Sequence, residues 1–256
     1  MTVRHTTTAE PTLRGRTVVI TRPAGTGSSM AREVRRLGGV ALLLPGLSLR
    51  HVDEPGQAAI ALGEALNDEL LVFTSPAAVS FAARLLPLQT QAIVLAVGQG
   101  TARALRLHGV SAPWAPVHRQ DSEGLLEHPA LADLHGKRVS LIGAAGGRGV
   151  LRAELTARGA ELREVHVYRR VAPRWQRRQL DAVVALPADA RVLLSSAEAL
   201  GCLRDGLPEA VFAVLRGAVA VVSSERVAEV ARDAGFMRVV VAASAMGADL
   251  LVAAAQ

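Results

Sequence analysis

The chain has 256 residues and a formal net charge of +6, and half of its residues are hydrophobic while only 3% are aromatic. This length suits two α/β domains, and the hydrophobic fraction is enough for a substantial core. The few aromatic residues argue against a base-stacking surface for single-stranded nucleic acid, and the single cysteine excludes an internal disulfide framework.

The positive charge is carried by arginine, since Lys137 is the only lysine. The arginines are scattered along the chain, which is atypical of DNA-binding proteins, and the charge surplus mildly favours anionic partners of any kind. No apolar run reaches the ~18 residues of a membrane span, and residues 1–12 lack the apolar core of a signal peptide. We therefore expect a cytoplasmic protein with a loose N-terminal tail over residues 1–12 and with neither nucleic acid nor membrane as a partner.

Short apolar runs alternate with segments of helical periodicity along most of the chain. Helices are predicted between the runs, the first ones near residues 28–37 and 57–67 and from Pro76 onwards. The alternation predicts an α/β fold with parallel sheets covered by helices on both faces, and ligands of such sheets bind at the carboxyl ends of the strands. The predicted strands are residues 17–21, 40–44, 47–52, 70–73, 93–97, 138–142, 162–171, 192–194, 218–222 and 238–241.

The two halves of the sequence resemble each other. LRGRTVVI, which begins at Leu13, resembles LHGKRVSL, which begins at Leu134, at an offset of 121 residues. VFTS from Val72 resembles LLSS from Leu193 at the same offset, and residues 96–109 resemble residues 222–235 at an offset of 126. Single α/β units can resemble each other by chance, but a constant offset across separate units favours a duplication.

Two segments in matching places of the repeat differ from buried parallel strands. Residues 46–52 and residues 161–171 both alternate apolar with polar side chains, which is typical of a strand with one face in water. We expect them to pair as a two-stranded linker between domains.

The stretch AVGQGTARAL, residues 96–105, places two glycines and a threonine between a predicted strand and a helix. A dinucleotide-binding fingerprint needs a third glycine three residues after the second, and Arg103 stands there. Residues 143–149 likewise lack the Gly-Lys-Ser/Thr of a P-loop. Each loop is either a turn required by geometry alone or a helix start whose N–H groups receive a carboxylate or phosphate.

Turns that carry hydroxyl groups, glycine or arginine follow several predicted strands, so they should gather at carboxyl edges of the sheets. Together they would bind a large anion with several carboxylates better than they would perform hydrolysis. They are Thr21-Arg22, Thr74-Ser75, Gly98 to Thr101, residues 143–149, Ser195-Ser196 and Ser223-Ser224.

Other chemistries have little support in the sequence. The histidines show no HxxxH pairing and no cysteine partners them, so no metal site is predicted, and no G-x-S-x-G nucleophile elbow occurs. Tyr168, the only tyrosine, lies in the second linker segment. It is either an ordinary edge-strand residue or a phenol that faces the cleft as a proton donor, because a phenol is protonated at neutral pH.

The sequence from Leu13 to about Leu251 resembles the uroporphyrinogen-III synthase family in the order and spacing of seven segments. The matching segments are VVITRP, FTSPAAV, AVGQGTARAL, DSEGLL, residues 136–170, VLLSSAEAL and VVSSERVAEVARDAGF. The resemblance implies two similar α/β domains with flavodoxin-like parallel sheets, joined by a two-stranded antiparallel linker. One domain would combine residues 13–45 with 172–256, the other would be residues 53–163, and the linker strands would be residues 46–52 and 164–171.

The resemblance also implies an activity. Members of the family are lyases that cyclise hydroxymethylbilane, a linear tetrapyrrole polycarboxylate, with loss of water and inversion of the terminal pyrrole ring through a spirocyclic intermediate. It implies a place in haem biosynthesis and no metal or organic cofactor. We expect a monomer, and transient contact with the preceding pathway enzyme stays open. The alternative is a two-domain sensor that binds an anion without catalysis.

The family's functional residues transfer to this chain one at a time. Tyr168 would assist departure of the substrate hydroxyl, directly or through water. Ala77 departs from the family pattern because a larger polar residue is common there, and residues 223–226 replace the glycine–threonine turn of some members. The residues that would contact substrate carboxylates are Thr101, Ser75, Gly98, Gly100, Ser195, Ser196, Ser223, Arg22 and Arg148.

Overall fold

The computed structural model describes residues 12–146 and 149–256. The tail predicted over residues 1–12, apart from Thr12, and the predicted site residue Arg148 lie outside the described residues. The chain divides into two compact units. Unit 1 comprises the described residues up to Leu49 together with Val171–Gln256, and unit 2 comprises Arg50–Arg170.

Strands and helices alternate as the sequence predicts. The strands are β1 Thr17–Ile20, β2 Val40–Leu43, β3 Ser48–His51, β4 Leu70–Phe73, β5 Ile93–Ala96, β6 Arg138–Ala144, β7 Glu161–Val171, β8 Arg191–Leu194, β9 Val219–Val222 and β10 Arg238–Val241. The helices are α1 Ser28–Arg36, α2 Pro55–Ala65, α3 Pro76–Leu85, α4 Gln99–Leu107, α5 Ser122–Leu126, α6 Val150–Ala157, α7 Arg177–Val184, α8 Ala197–Gly206, α9 Glu209–Gly217, α10 Glu225–Asp233 and α11 Gly247–Ala254, with a short 3-10 helix at Pro129–Leu131.

The sheet of unit 1 is parallel and covered on both faces. Its strand order is β10-β9-β8-β1-β2, and all neighbouring strands run parallel. Alternate residues of β1 serve opposite faces, as the two-residue period of a strand requires. Val19 packs with α7, α8, α9 and α10, whereas Val18 and Ile20 pack with α1 and α11.

The sheet of unit 2 has the order β3-β7-β6-β4-β5, in which β7, β6, β4 and β5 pair in parallel. Leu70 and Val72 of the fully buried strand β4 pack with α5 and α6. Leu71 and Phe73 alternate with them, and α3 packs against β4 and β6. The predicted α/β class, with two parallel sheets flanked by helices, is confirmed.

The sequence repeat reappears in the boundaries of the elements. The first and last residues of β8 lie 121 positions after those of β4, and the same offset relates α8 to α3. β5 and α4 are followed 126 residues later by β9 and α10. The order β9-β8-β1-β2 of unit 1 therefore corresponds to the order β5-β4-β6-β7 of unit 2. Each unit combines strands from both halves of the sequence.

The two segments predicted as linker strands are β3 and β7, which are neighbours in the sheet of unit 2. β7 has the bounds of the alternating segment 161–171 and pairs with β6 from Glu161 to Tyr168, so residues 164–168, which the resemblance assigns to the linker, are part of that sheet. The linker role of the two strands stays a prediction.

Candidate active site

Tyr168 is placed by an irregularity in strand β7. Gly143 of β6 lies opposite His166, but the next pair is Ala144 with Tyr168, so Val167 is an extra residue on β7. Strict alternation would put Tyr168 on the same exposed face as His166, whereas Tyr168 and Val167 are both buried. A β-bulge redirects the side chains that follow it, and this one turns the phenol inward.

The phenolic oxygen of Tyr168 lies 3.3 Å from Oγ of Ser75, within hydrogen-bond distance. Ser75 follows β4 and is the N-cap of α3, where its Oγ accepts a hydrogen bond from the backbone N–H of Ala78 at 3.1 Å. An N-cap serine satisfies one of the N–H groups that a helix start leaves without a partner. The hydroxyl that caps α3 therefore also contacts the phenol.

The ring of Tyr168 is held by a second residue of α3. It stacks on Phe81 with ring centroids 5.3 Å apart and ring planes inclined by 24°. His51 of β3 meets Phe81 edge-on at 4.9 Å, and the guanidinium carbon of Arg84 lies 5.3 Å from the centroid of the same ring. Since Tyr168 is only 7% exposed, packing fixes the orientation of the phenol.

The turn at residues 98–101 begins α4 without a side-chain cap. Gly98 is extended, with a φ of −159°, and Gly100 has no positive φ, so backbone conformation requires neither glycine. Thr101 is 3% exposed, and within the described residues its hydroxyl makes no hydrogen bond. A Cβ on Gly100 would lie 3.7 Å from Cγ of Pro76, so the first turns of α3 and α4 are neighbours.

Residues 115–120, which we call the strap, cover the start of α4, and the sequence motifs do not predict this contact. Oε1 of Gln120 accepts a hydrogen bond from the backbone N–H of Gln99 at 3.1 Å, while Nε2 of Gln99 donates to two carbonyl oxygens of the strap. A Cβ at Gly98 would lie 3.3 Å from Oε1 of Gln120, so glycine permits this approach. An amide oxygen thus already accepts from one of the helix-start N–H groups that could receive a carboxylate or phosphate.

The DSEGLL motif holds the end of the strap. Asp121 is the N-cap of α5 and accepts a hydrogen bond from the backbone N–H of Gly124 at 2.8 Å. A Cβ on Gly124 would lie 1.9 Å from the carbonyl oxygen of Arg119, a distance no side chain tolerates. Close approach of two backbones therefore requires this glycine, and the role of the motif in the described contacts is structural.

In unit 1, an arginine lies just beyond the end of β1. Thr21 donates its hydroxyl hydrogen to the carbonyl oxygen of Leu193 at 2.6 Å and so ties β1 to β8. The guanidinium of Arg22, the next residue, has a buried Nε and no hydrogen bond or ion pair within the described residues. Burial lowers the pKa of Arg22 from its ordinary value. A half-buried cation without a counter-charge is suited to receive an anion.

The remaining predicted residues of unit 1 have separate surroundings. Ser196 is the N-cap of α8 and accepts a hydrogen bond from the backbone N–H of Ala199 at 3.3 Å. Ser195 is exposed, and Ser223 is half-buried. Among the predicted side chains of unit 2, the structure brings Tyr168 and Ser75 into direct contact.

Metal-dependent and thiol chemistry find no site in the described ranges. No group of three His, Cys, Asp or Glu residues there could hold a metal ion. Burial, followed by the charges of Glu198 and Asp205, raises the pKa of the Cys202 thiol and so lowers its reactivity at neutral pH. Across the same ranges, no helix has the length and apolar character needed to cross a membrane. The chemical groups at the strand ends are a phenol, hydroxyls, backbone N–H groups and an arginine.

Known protein structures share this fold. A mutant uroporphyrinogen III synthase of Thermus thermophilus has a TM-score of 0.57 at 20% sequence identity, with 92% of this chain and 96% of that chain covered. A uroporphyrinogen-III synthetase of Helicobacter pylori has a TM-score of 0.52 at 14% identity, with the same two shares covered. At these identities the likeness establishes the fold.

Relatives with similar sequences identify the family of this chain. The model of the family described as Uroporphyrinogen-III synthase HemD matches residues 28–251. Uroporphyrinogen-III synthase of Escherichia coli is 32% identical over 246 residues, which are 89% of this chain and 95% of that protein. Uroporphyrinogen-III synthase of Salmonella typhimurium is 32% identical over 248 residues, with the same coverage. The chain therefore belongs to the uroporphyrinogen-III synthase family.

Proposed function

We propose that this chain is a uroporphyrinogen-III synthase, a lyase that cyclises hydroxymethylbilane in haem biosynthesis. Support comes from family membership over residues 28–251 and from relatives 32% identical over most of the chain. The structural observation that carries the proposal is the only tyrosine of the chain, whose phenol is buried, stacked and within hydrogen-bond distance of Ser75 at a strand end.

The proposed reaction begins at the terminal hydroxymethyl group of the substrate. The hydroxyl leaves as water, the last pyrrole ring is inverted through a spirocyclic intermediate, and the macrocycle closes. The substrate is already reactive, so the enzyme has to assist loss of the hydroxyl and hold the linear chain in a curled conformation. No metal or organic cofactor is part of the proposal.

Tyr168 is the group we assign to the departing hydroxyl. A leaving hydroxide is stabilised when an acid gives it a proton in the transition state, and positioned acids of this kind contribute roughly a hundredfold or more to the rate. The stack on Phe81 holds the phenol in place for this proton transfer. It would act on the hydroxyl directly or through one water molecule.

The carboxylates of the substrate need several receiving groups. Helix starts, hydroxyls and arginine are suited to them because each presents a hydrogen-bond donor with partial or full positive charge. In unit 2 we assign the turn of α4, where Thr101 has a hydroxyl without a partner in the described ranges. The full set of proposed carboxylate contacts is Thr101, Ser75, Gly98, Gly100, Ser195, Ser196, Ser223, Arg22 and Arg148.

The setting of the enzyme follows from the same resemblance. We propose a cytoplasmic monomer that acts on a small-molecule tetrapyrrole and binds neither nucleic acid nor membrane. Transient contact with the preceding pathway enzyme would shorten the free lifetime of an unstable substrate.

One assay tests the proposed function directly. Hydroxymethylbilane generated enzymatically is incubated with the protein, the products are oxidised, and the type I and type III porphyrin isomers are separated. We expect the type III isomer with protein and the type I isomer in the control without protein. The type I isomer alone in both reactions would exclude the proposed activity. Saturable binding without conversion would then favour the anion-binding sensor.

A further inference from the structure

We propose that Ser75 is a positioning residue for Tyr168. In this arrangement the Ser75 hydroxyl donates its hydrogen to the phenolic oxygen, which leaves the hydrogen of the phenol free for the substrate. The role of the pair in turnover rests on the proposed function. The direction of the hydrogen bond does not, because it is a property of the protein without substrate.

The capping contact of Ser75 favours this direction. A serine hydroxyl has one hydrogen and two lone pairs, and Oγ of Ser75 already accepts the backbone N–H of Ala78 at 3.1 Å. The oxygen also lies at the positive end of α3, a helix of ten residues. The positive end of a helix disfavours a second hydrogen pointed at this oxygen. The 3.3 Å contact with Tyr168 is therefore best satisfied when Ser75 donates and the phenolic oxygen accepts.

Helix α3 controls the phenol at two points. Ser75 meets the oxygen, and Phe81 stacks on the ring with centroids 5.3 Å apart. The bulge opposite Ala144 brings the side chain of Tyr168 into reach of both contacts. Because one rigid element supplies both, the oxygen and the ring are positioned together.

The hydrogen-bond direction matters for the elimination step. The C–O bond of the substrate's hydroxymethyl group breaks, and the lone pair of the pyrrole nitrogen supplies the electrons for a new exocyclic carbon–carbon double bond. The phenolic proton of Tyr168 goes to the departing oxygen, which leaves as water. The phenolate that remains accepts the hydrogen bond of Ser75, and it recovers a proton from the substrate when ring closure restores the last pyrrole. No other reactant is required.

For the Ser75 hydroxyl, this role replaces the contact with a substrate carboxylate that is included in the set proposed above. The single hydrogen of the Ser75 hydroxyl serves either the phenolic oxygen or a carboxylate, but not both at once. Loss of a carboxylate contact weakens substrate binding and raises KM, whereas loss of a group that stabilises the phenolate in the transition state lowers kcat. The two roles are therefore separable by kinetics.

The direction of the hydrogen bond can be measured without any substrate. Tyr168 is the only tyrosine, so the tyrosine doublet in the Raman spectrum of the whole protein reports on this residue alone. The intensity ratio of the doublet is high when the phenolic oxygen accepts a hydrogen bond and low when the phenol only donates one. We expect an acceptor ratio in the wild type and in Ser75→Thr, and a lower ratio in Ser75→Ala. A donor ratio in the wild type, or no change in Ser75→Ala, would overturn the inference.

Kinetics of the same variants test the consequence. We expect Ser75→Ala to lower kcat about tenfold with little change in KM, as for loss of a hydrogen bond to a charged group. Ser75→Gly controls for the lost cap, since glycine at an N-cap costs a helix only a few tenths of a kcal/mol. Ser75→Thr, which keeps the hydroxyl, should restore kcat, and Ser75→Ala should add no loss in a Tyr168→Phe background.

The outcomes distinguish failure of the positioning role of Ser75 from failure of the proposed function. A rise in KM with unchanged kcat in Ser75→Ala and Ser75→Gly would make Ser75 a carboxylate contact and overturn its positioning role. Failure of the wild type to form the type III isomer would instead overturn the proposed function. In that case the Raman comparison still decides the direction of the hydrogen bond.

Discussion

The two units use the same strand–turn–helix design, yet they present different chemistry. Ser75 in unit 2 and Ser196 in unit 1 are 121 residues apart, and each is the N-cap of the helix that follows its strand. Oγ of Ser75 also contacts the phenol of Tyr168, whereas the residue 121 positions before Tyr168 is the buried apolar Leu47. The fold requires each serine only as an N-cap, so the other contacts of the two serine hydroxyls can differ between the repeats.

The strand edges of the units differ in a related way. β10 of unit 1 is a four-residue strand that pairs with β9, and Val240 lies opposite Val221. The equivalent position of unit 2 is a single bridge between Leu95 and Trp114. Prolines at residues 113 and 116 flank that bridge and cannot donate to a ladder, so pairing stops. The chain then turns into the strap over α4.

Substitution of Tyr168 should have the largest effect on turnover, because it removes the phenol that unit 2 has and unit 1 lacks. We expect Tyr168→Phe to lower kcat about a hundredfold or more, as for loss of a positioned general acid. The melting temperature should stay close to that of the wild type, because phenylalanine retains the stack on Phe81. Turnover is measured with the isomer assay and folding by circular dichroism. Wild-type rates in this variant would remove Tyr168 from the mechanism.

A methyl group at Gly124 tests whether the strap depends on the backbone contact described above. We expect Gly124→Ala to destabilise the protein by about 2–4 kcal/mol, because its Cβ would overlap the carbonyl oxygen of Arg119. Thermal denaturation measures the loss. Gly201→Ala in α8 is the matched control, since nothing lies within 4 Å of an added Cβ there and alanine is favoured over glycine inside helices. Equal melting temperatures for the two variants would contradict the requirement for glycine at residue 124.

Removal of the arginine of unit 1 should have a smaller effect of a different kind. We expect Arg22→Gln to raise KM about tenfold with little change in kcat, as for loss of one charged hydrogen bond to a carboxylate. The free energy of unfolding should not fall, because burial of this unpaired charge, which also lowers the pKa of Arg22, is itself unfavourable in the folded state. Arg32→Gln removes the same charge from an exposed position of α1 and serves as the control. Equal KM values for the two variants would argue against an anion at Arg22.

The fold could be predicted well because its signals are local. β4 and β10 have the predicted bounds, since short apolar or β-branched runs between turn residues specify buried strands. The repeat offsets found in the sequence reappear as offsets between element boundaries. The sequence alone therefore predicts that Ser75 and Ser196 are equivalent residues, and both are N-caps in the structure.

The contacts that complete the candidate site could not be predicted in this way. The bulge that turns Tyr168 inward occurs where Gly143 lies so close to Thr74, the residue after β4, that a Cβ would be 2.5 Å from its Oγ1. Crowding between neighbouring strands leaves no periodic signal in either strand. Gln120 accepts a hydrogen bond from the backbone N–H of Gln99, which lies 21 residues away, through a loop whose path depends on backbone contact at Gly124. Both features arise from tertiary packing rather than from local preference.

The exchange of strands between the repeats also has a consequence for the order of folding during synthesis. Unit 2 is one continuous stretch, Arg50–Arg170, so its chain is complete before the last third of the protein leaves the ribosome. Thr21 of β1, in contrast, hydrogen-bonds to Leu193, which follows it by 172 residues. Chain closure over such a separation is slow, and β1 lacks its neighbour on the side away from β2 until β8 emerges. Unit 2 is therefore expected to fold first and to keep the two ends of the unfinished unit near each other.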